Sequence, residues 1–455
     1  MSEVCKINFR PISSHYMLTH KRAQIPIKGM IICGRRAQRW VISFSNDLTG
    51  RENLSVDCPM LTTVWLMKGI NMTTGSPSYS PGLEGVPICE SSLSLVEGQA
   101  GRLTYRGYSI EDLTLPGATF EQTVALLFDG ELPSQTRLDE ISSILKRERN
   151  LSNEVVEIIR SIAKNTHPMF AIQAAIALLG PKDNDFEPKI NTIRDRSLAL
   201  VAKVATAVGV VAQAYTDRPY TGPRDDESHA EMLLRMITGN ESHPEGHVDV
   251  MNQLLTLQAD HSAGNAGTFT SRVVTSTKAE PEAVVSAAIG ALSGPAHGGA
   301  NEGSLRLFME IGDPNNAEVE IGKKLDDKFK IPGFGHRVYS VKDPRSEVIQ
   351  RLASDIIEAG SKVDDYYKIA LSVEEVATAR LGDRGLFPNV DLFSGCVFAA
   401  IGIPVELFTP IFAAGRTLGW VANMEEQWAS GNRIYRPTQI YTGEAHREYV
   451  PIDKR

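Results

Sequence analysis

A short basic stretch, IPGFGHRVYSVKDPRS at residues 331–346, surrounds one histidine with positive charge. The prolines and glycines around His336 favour a loop, because proline interrupts regular structure and glycine permits backbone angles that other residues avoid. Arg337, Lys342 and Arg345 follow the histidine within ten residues. A loop with this many cations is suited to binding a small anion.

Two further residues stand where helices are predicted to begin. His297, in SGPAHGGANEGS, would face the positive end of a helix dipole, which favours the neutral imidazole. A neutral imidazole can donate a hydrogen bond to an enolate-like oxygen. Asp391, in FPNVDLFSG, precedes a nearly uncharged run, and lost solvation would make it a stronger base beside a carbonyl. Asp391 could instead simply cap the following helix.

The remaining candidates follow a predicted helix or lie late in the chain. His261 and Asn265 come directly after the amphipathic stretch HVDVMNQLLTLQAD. Arg416 and Arg436 occur in AAGRTLGW and RIYRPTQ, and arginine meets a carboxylate with two parallel hydrogen bonds. Each residue alone has a structural explanation, but together they predict a site that binds a carboxylate and stabilises an enolate.

The elements that position these residues are predicted to be helices. Apolar residues recur on one helix face in HVDVMNQLLTLQAD, and PEAVVSAAIGALSG starts with proline and ends at glycine, as helices do. Alternating strand patterns are rare after residue 110, and no fixed-period repeat is present. We therefore expect an all-α fold rather than an α/β fold.

Length and composition exclude several classes of protein. A chain of 455 residues with 42% hydrophobic content should bury more than one core, and its net charge of -8 argues against a nucleic-acid partner. The five cysteines form no Cys-x-x-Cys pair, which favours a reducing compartment. The apolar stretch at 392–415 is divided by Gly402, Pro404 and Pro410, so we expect buried helices and no membrane partner.

Residues 1–71 differ from the rest of the chain. They carry ten Lys or Arg and four acids, a net charge of +6, which leaves -8 - 6 = -14 for the remainder. This basic extension, of uncertain structure, has three possible explanations: an organellar targeting segment, a regulatory extension, or an upstream stretch with Met72 as the working start. We expect a cytoplasmic protein, or an organellar matrix protein if the extension is a targeting sequence.

Seven segments resemble the citrate synthase family and occur in that family's order. The resemblance covers residues 80–445 and implies an all-α fold with the active site in a cleft between two helical domains. The large domain would comprise 72–298 and 403–455, and the small domain 299–402. The segments are GLEGVPICESSLSLVEGQAGRLTYRGYSIEDL, LQADHSAGNAGTFTSRVVTST, GPAHGGANE, PGFGHRVYSVKDPR, PNVDLFSG, LFTPIFAAGRTLGWVANMEEQ and RIYRP.

The resemblance implies a catalytic role for three residues. His297 matches the histidine that holds the thioester carbonyl of acetyl-CoA, and Asp391 matches the base that removes a methyl proton. His336 matches the histidine that polarises and protonates the oxaloacetate carbonyl. The implied reaction is a Claisen-type condensation followed by hydrolysis of citryl-CoA to citrate and CoA, the entry to the tricarboxylic acid cycle. It requires no metal and no cofactor beyond acetyl-CoA as a substrate.

The resemblance also implies how the carboxylates are bound. His261, Arg345, Arg416 and Arg436 match the groups that bind oxaloacetate and citrate, with Asn265 as a neighbour. In the family the last of these arginines comes from the partner subunit, so a homodimer is implied.

The implied CoA-binding residues are Arg337, Tyr339 and Lys342, beside the catalytic histidine. The sequence departs from the family pattern at Ser340, where some relatives have a basic residue, and at Gly267, where a serine is common. Neither departure removes a proposed catalytic group.

Alternative functions remain open from the sequence. A 2-methylcitrate synthase uses propionyl-CoA by the same mechanism, and one extra methylene changes pocket binding by only about 1 to 3 kcal/mol. A metal-binding protein built on His243 and His247 is disfavoured, because Pro244 and Gly246 make a helix through HPEGH unlikely. A binding protein that lost catalysis is disfavoured because all three catalytic residues are present.

Overall fold

The computed structural model describes residues 79–181, 190–295 and 297–455, together with the backbone of three strands nearer the amino terminus. The chain divides into two units, Met1–Gly82 and Leu83–Arg455.

The first unit contains a three-stranded antiparallel sheet. Strand β1 (Pro26–Cys33) pairs with β2 (Arg36–Asn46), which pairs in turn with β3 (Glu52–Asp57). The register of β1 and β2 runs from Pro26 opposite Ser43 to Cys33 opposite Arg36. The remainder of the predicted extension 1–71, and Met72 as a possible start, lie outside the described residues.

The second unit is helical, which confirms the predicted all-α fold class. Within residues 83–181, 190–295 and 297–455 the chain forms fifteen α-helices. They are α1 (Phe120–Asp129), α2 (Gln135–Glu148), α3 (Asn153–Ala163), α4 (Pro168–Leu178), α5 (Ile190–Tyr215), α6 (His229–Thr238), α7 (His247–Gln258), α8 (Ala266–Ser276), α9 (Pro281–Leu292), α10 (Ala300–Ile311), α11 (Ala317–Asp326), α12 (Pro344–Ile356), α13 (Lys362–Leu381), α14 (Val390–Ala400) and α15 (Phe408–Ala429).

A small antiparallel sheet precedes these helices. Its strands are β4 (Ser94–Glu97), β5 (Arg102–Tyr105) and β6 (Tyr108–Ser109). β4 and β5 form a hairpin whose tip is the four residues 98–101, between the paired Glu97 and Arg102.

The long helix α5 lies at the centre of the helical unit and contacts α2, α3, α4, α6 and α15. Its sequence is rich in valine and alanine, whose small side chains let neighbouring helices approach. A Cβ at Gly209 of α5 would lie 2.7 Å from the Cβ of Met236 on α6, so this contact requires glycine. Residues 192–215 of this helix contain an 18-residue window that is long and apolar enough to cross a membrane, but 89% of that window is buried inside the protein.

Helix boundaries follow the sequence signals. Pro281 occupies the first turn of α9, and Gly312, with φ +72°, ends α10. The apolar stretch 392–415 is divided at Gly402 and Pro404 as predicted, because α14 ends at Ala400 and α15 begins at Phe408. The predicted division at Pro410 is wrong, because this proline lies in the first turn of α15, where a helix tolerates it. The predicted domain junctions at 298/299 and 402/403 fall in turns between helices. The division into large and small domains itself stays a prediction.

Candidate active site

Two histidines and a tyrosine, His261, His336 and Tyr339, pack against one another. The ring centroids of His261 and His336 are 5.1 Å apart, and those of His336 and Tyr339 are 4.8 Å apart. His261 follows the end of α7 and is 4% exposed, and its Nε2 is buried without a hydrogen-bond partner in the described part of the chain. A buried polar atom without a partner is costly, so this nitrogen is poised to bond a ligand.

The backbone around His336 fixes which ring nitrogen carries the proton. The amides of Val338 and Tyr339 donate to Nδ1 at 3.0 and 3.1 Å. Since Nδ1 accepts both bonds, the proton of the neutral ring is on Nε2, which can donate to a substrate. Burial, reinforced by the nearby Arg345, lowers the pKa of His336 to about 4 and so favours this neutral form.

The turn that carries His336 is bonded to the start of α14, which carries Asp391. The amide of Asn389 donates to the carbonyl of Gly333 at 3.0 Å, and its side-chain amide donates to the carbonyl of Gly335 at 2.8 Å. Gly333 has φ +75°, and a Cβ there would lie 2.6 Å from the backbone of Leu392. The predicted glycine-dependent turn therefore brings His336 and Asp391 into one local assembly.

Asp391 does not cap α14. The capping residue is Asn389, whose side-chain oxygen accepts the Asp391 amide at 2.8 Å, so the carboxylate of Asp391 is not used for capping. Burial raises the pKa of Asp391 to about 7, although Arg345 and Arg416 oppose the rise. A carboxylate with this pKa can act as a general base near neutral pH.

His297 lies three residues before α10 and contacts Asn265. The Oδ1 of Asn265 accepts the amide of Gly267 and lies 3.1 Å from Nε2 of His297. Because this oxygen can only accept, Nε2 carries the imidazole proton. Burial, with Arg416 and Arg345 adding to it, lowers the pKa of His297 to about 4. The ring is therefore neutral, as expected, and the causes that the structure identifies are burial and the guanidinium groups.

Two buried arginines provide the positive charge of the pocket. Arg345 makes two hydrogen bonds to the carboxylate of Asp343, at 3.0 and 2.6 Å, and both side chains are buried. Arg416 donates Nε to the carbonyl of Gln258, while its Nη1 is buried without a partner among the residues described. Burial lowers the pKa of Arg416 to about 10, which leaves it charged at neutral pH. An anionic ligand would satisfy the free guanidinium nitrogen.

The other predicted binding residues lie in three different settings. Arg337 is exposed, 3.6 Å from Glu84, whereas Lys342 forms an ion pair of 2.6 Å with Glu374. Tyr339 is buried against the two histidines instead of facing solvent. Their assignment to CoA stays a prediction.

Arg436 is exposed in the irregular segment that follows α15. It is not brought into the buried cluster of His261, Arg345 and Arg416 by any contact recorded for the described residues. Its role in binding a carboxylate across a homodimer stays a prediction.

Metal binding finds little support in the charges of the site. Ligand atoms of His261, His336 and Asp343 lie within 4.8 Å of one another, but Arg345 occupies the Asp343 carboxylate and opposes a cation. The alternative metal site considered from the sequence consists of His243 and His247. His243 lies in a loop and His247 begins α7, so the two do not share a helix face.

Sequence reasoning missed the supporting residues of the pocket. Asp343 holds Arg345 and also caps α12, and its position just before a proline is a signal for a capping aspartate. Ser94 and Tyr105 bond to the segment around His261. No local signal in the sequence marks them, because each bond joins residues more than 150 positions apart.

The chain resembles known proteins over most of its length. The family model described as citrate synthase, C-terminal domain, matches residues 82–438. A citrate synthase of Acidithiobacillus ferridurans is 39% identical over 387 residues, which are 83% of this chain and 99% of that protein. A 2-methylcitrate synthase of Corynebacterium glutamicum is 36% identical over 379 residues, 82% of this chain and 97% of that protein.

A solved structure has the same fold. It is a citrate synthase from Thermoplasma acidophilum in a ternary complex with carboxymethyl coenzyme A and oxaloacetate, 31% identical with a TM-score of 0.80, covering 83% of this chain and all of that one. The predicted resemblance is confirmed, and the chain belongs to the citrate synthase family.

Proposed function

We propose that His297, Asp391 and His336 together carry out the condensation of acetyl-CoA with oxaloacetate, which is the activity of the citrate synthase family to which this enzyme belongs. The observation that supports this most directly is electrostatic. Arg345 shifts the pKa of all three residues, so each of them lies within electrostatic reach of the same buried guanidinium group.

In the first step Asp391 removes a proton from the thioester methyl group. A methyl group beside a carbonyl is a very weak acid, and each unit of pKa mismatch costs about 1.4 kcal/mol. The raised pKa of Asp391 reduces that mismatch. In the free enzyme the Nε2–H of His297 donates a hydrogen bond to Asn265. During the reaction this N–H donates instead to the developing enolate oxygen and stabilises its charge.

In the second step His336 activates the ketone of oxaloacetate. Its Nε2–H donates to the carbonyl oxygen, because Nδ1 is already occupied by two backbone amides. The enolate carbon attacks this ketone, and the Nε2 proton of His336 passes to the ketone oxygen, which becomes the hydroxyl group of citryl-CoA. The ring regains a proton from solvent, and Asp391 releases the methyl proton to solvent. Water then adds to the thioester carbonyl, and CoA leaves as the thiol, so that citrate and CoA are released. Water must be excluded until the carbon–carbon bond has formed.

The carboxylates of oxaloacetate bind to Arg345, Arg416 and His261. Arg416 offers a guanidinium nitrogen and His261 a ring nitrogen that are both buried without protein partners among the described residues. Arg436, which is exposed in its own chain, would complete the site of a second copy, so the functional unit is a homodimer. Arg337, Tyr339 and Lys342 are proposed to contribute to CoA binding.

The enzyme is proposed to prefer acetyl-CoA, to need no metal or cofactor, to bind neither nucleic acid nor membrane, and to work in the cytoplasm. The test is a thiol-release assay on the full chain with oxaloacetate and either acetyl-CoA or propionyl-CoA. We expect a higher kcat/KM for acetyl-CoA and unchanged activity after treatment with a chelator. A higher kcat/KM for propionyl-CoA would favour 2-methylcitrate synthase, to which the chain is also similar.

A further inference from the structure

The β4–β5 hairpin lies between the two segments that carry the pocket histidines. Ser94 and Tyr105 are paired directly opposite each other at the base of the hairpin, and Gly98 lies in its tip. The base contacts the segment that contains His261, and the tip contacts the loop that contains His336.

The base of the hairpin holds the backbone on both sides of His261. The hydroxyl of Ser94 donates to the carboxylate of Asp260 and accepts the amide of Ser262 at 3.0 Å. The hydroxyl of Tyr105 lies 2.9 Å from the carbonyl of Asp260 and accepts its amide at 3.1 Å. The residues before and after His261 are therefore both bonded to one strand pair.

This segment has a backbone conformation that needs such support. Ser262 has φ +63°, in the left-handed region that non-glycine residues rarely adopt. A residue in this region persists only where its surroundings impose the conformation. The bond from its amide to Ser94 is one such constraint, and it lies next to the buried ring of His261.

The tip of the hairpin holds the loop of His336. The amide of Ser340 donates to the carbonyl of Gly98 at 3.2 Å. The two preceding amides, of Val338 and Tyr339, are the ones that donate to Nδ1 of His336. A Cβ at Gly98 would overlap the carbonyl oxygen of Val338, so the loop can approach the hairpin this closely only because residue 98 is glycine.

We infer that the β4–β5 hairpin is a positioning element that sets the relative placement of the His261 and His336 rings, with Ser94 and Gly98 as its positioning residues. In the described part of the chain its hydrogen bonds reach the segments of His261 and His336 and not His297 or Asp391, so it acts through the two histidines. The inference rests on the proposed roles of those histidines in binding and activating oxaloacetate.

The first test replaces Gly98 by alanine. The added methyl group must displace the backbone of Val338, whose amide orients His336. A displacement of about 1 Å at a reacting group lowers turnover by up to about 100-fold, so we expect kcat to fall by about 10- to 100-fold. Gln99→Ala, an exposed substitution in the same turn, is the matched control and should leave kcat unchanged.

The second test replaces Ser94 by alanine, which leaves the Asp260 carboxylate and the Ser262 amide without this partner. We expect the Kd for oxaloacetate to rise by about tenfold, because the His261 segment loses a partly buried hydrogen bond on each side. Ser94→Thr keeps the hydroxyl and should restore affinity. Leu95→Ala, an exposed residue on the same strand, should bind normally.

Readouts besides activity separate positioning from a general structural role. Both variants should keep the wild-type unfolding midpoint within a few degrees. They should also keep the pH midpoint of kcat/KM, because Asp391 is untouched. Normal kcat in Gly98→Ala and normal oxaloacetate affinity in Ser94→Ala would overturn the inference. A defect in Ser94→Ala that Ser94→Thr fails to rescue would overturn it as well. Normal turnover by His336→Ala would instead overturn the proposed function.

Discussion

Replacing Asp391 by asparagine should nearly abolish condensation and at the same time stabilise the protein. Burial raises the pKa of this carboxyl group to about 7, roughly 3 units above the ordinary value of about 3.9. At about 1.4 kcal/mol per unit, the folded state bears an ionisation cost of about 4 kcal/mol. Asparagine has nearly the same shape and no charge, so this cost disappears.

The pH dependence of that gain follows from the direction of the shift. A carboxyl group with a raised folded-state pKa costs nothing below about pH 4, where it is protonated in both states. The cost grows between about pH 4 and 7 and is then constant. Asp391→Asn should therefore match the wild type at pH 4 and exceed its free energy of unfolding by up to about 4 kcal/mol at pH 8.

The assay is denaturant unfolding of wild type and variant at both pH values and a fixed protein concentration, combined with turnover and oxaloacetate binding. Loss of the general base should lower kcat by about 10²- to 10⁴-fold and leave oxaloacetate affinity within about twofold. Asp383→Asn removes an exposed carboxylate in the turn that follows α13 and is the control, with no expected effect. Equal stability at pH 8, or wild-type turnover, would refute the role of Asp391.

Three further predictions concern the same pocket. The kcat/KM for acetyl-CoA should rise with pH through about 7 and then level, since the carboxylate base must be ionised, and a flat profile from pH 5 to 8 would contradict this. Arg345→Leu should weaken oxaloacetate binding by about 10- to 100-fold. It should also lower the free energy of unfolding by about 3 kcal/mol, because Asp343 stays buried without its partner. Adding Asp343→Asn to Arg345→Leu should restore stability but not affinity. Arg436→Ala should be inactive, whereas Arg433→Ala, at another exposed arginine, should be active. If the arginine is supplied across a dimer, mixing Arg436→Ala with His336→Ala protein should recover activity, because one site of the mixed dimer then has both residues.

The helical fold and the ends of its helices could be predicted because their signals are local. Pro281 at the start of α9 and Gly312 after α10 act through backbone geometry that depends on neighbouring residues alone. The same holds for the His336 turn, whose glycines adopt the expected positive φ. Local chemistry of this kind can be read from a single sequence.

The tertiary environment of the site could not be predicted in the same way. The role of Asp391 as a cap was left open by the sequence, and only the bond from its amide to Asn389 decides it. The sequence named Lys342 as a CoA-binding residue but did not reveal its ion pair with Glu374 on α13, a residue 32 positions away along the chain. Distant pairings of this kind depend on how the helices pack, which periodicity does not specify.

The most direct test of the proposed division of labour is exchange of the acetyl-CoA methyl protons with deuterated water, followed by NMR. The reaction contains a dicarboxylate with a hydroxyl group in place of the ketone, so that enolate forms but condensation cannot follow. Wild type and His336→Ala should exchange the methyl protons, since His336 acts on the ketone alone, while Asp391→Asn and His297→Ala should not. Undiminished exchange by Asp391→Asn would contradict the account.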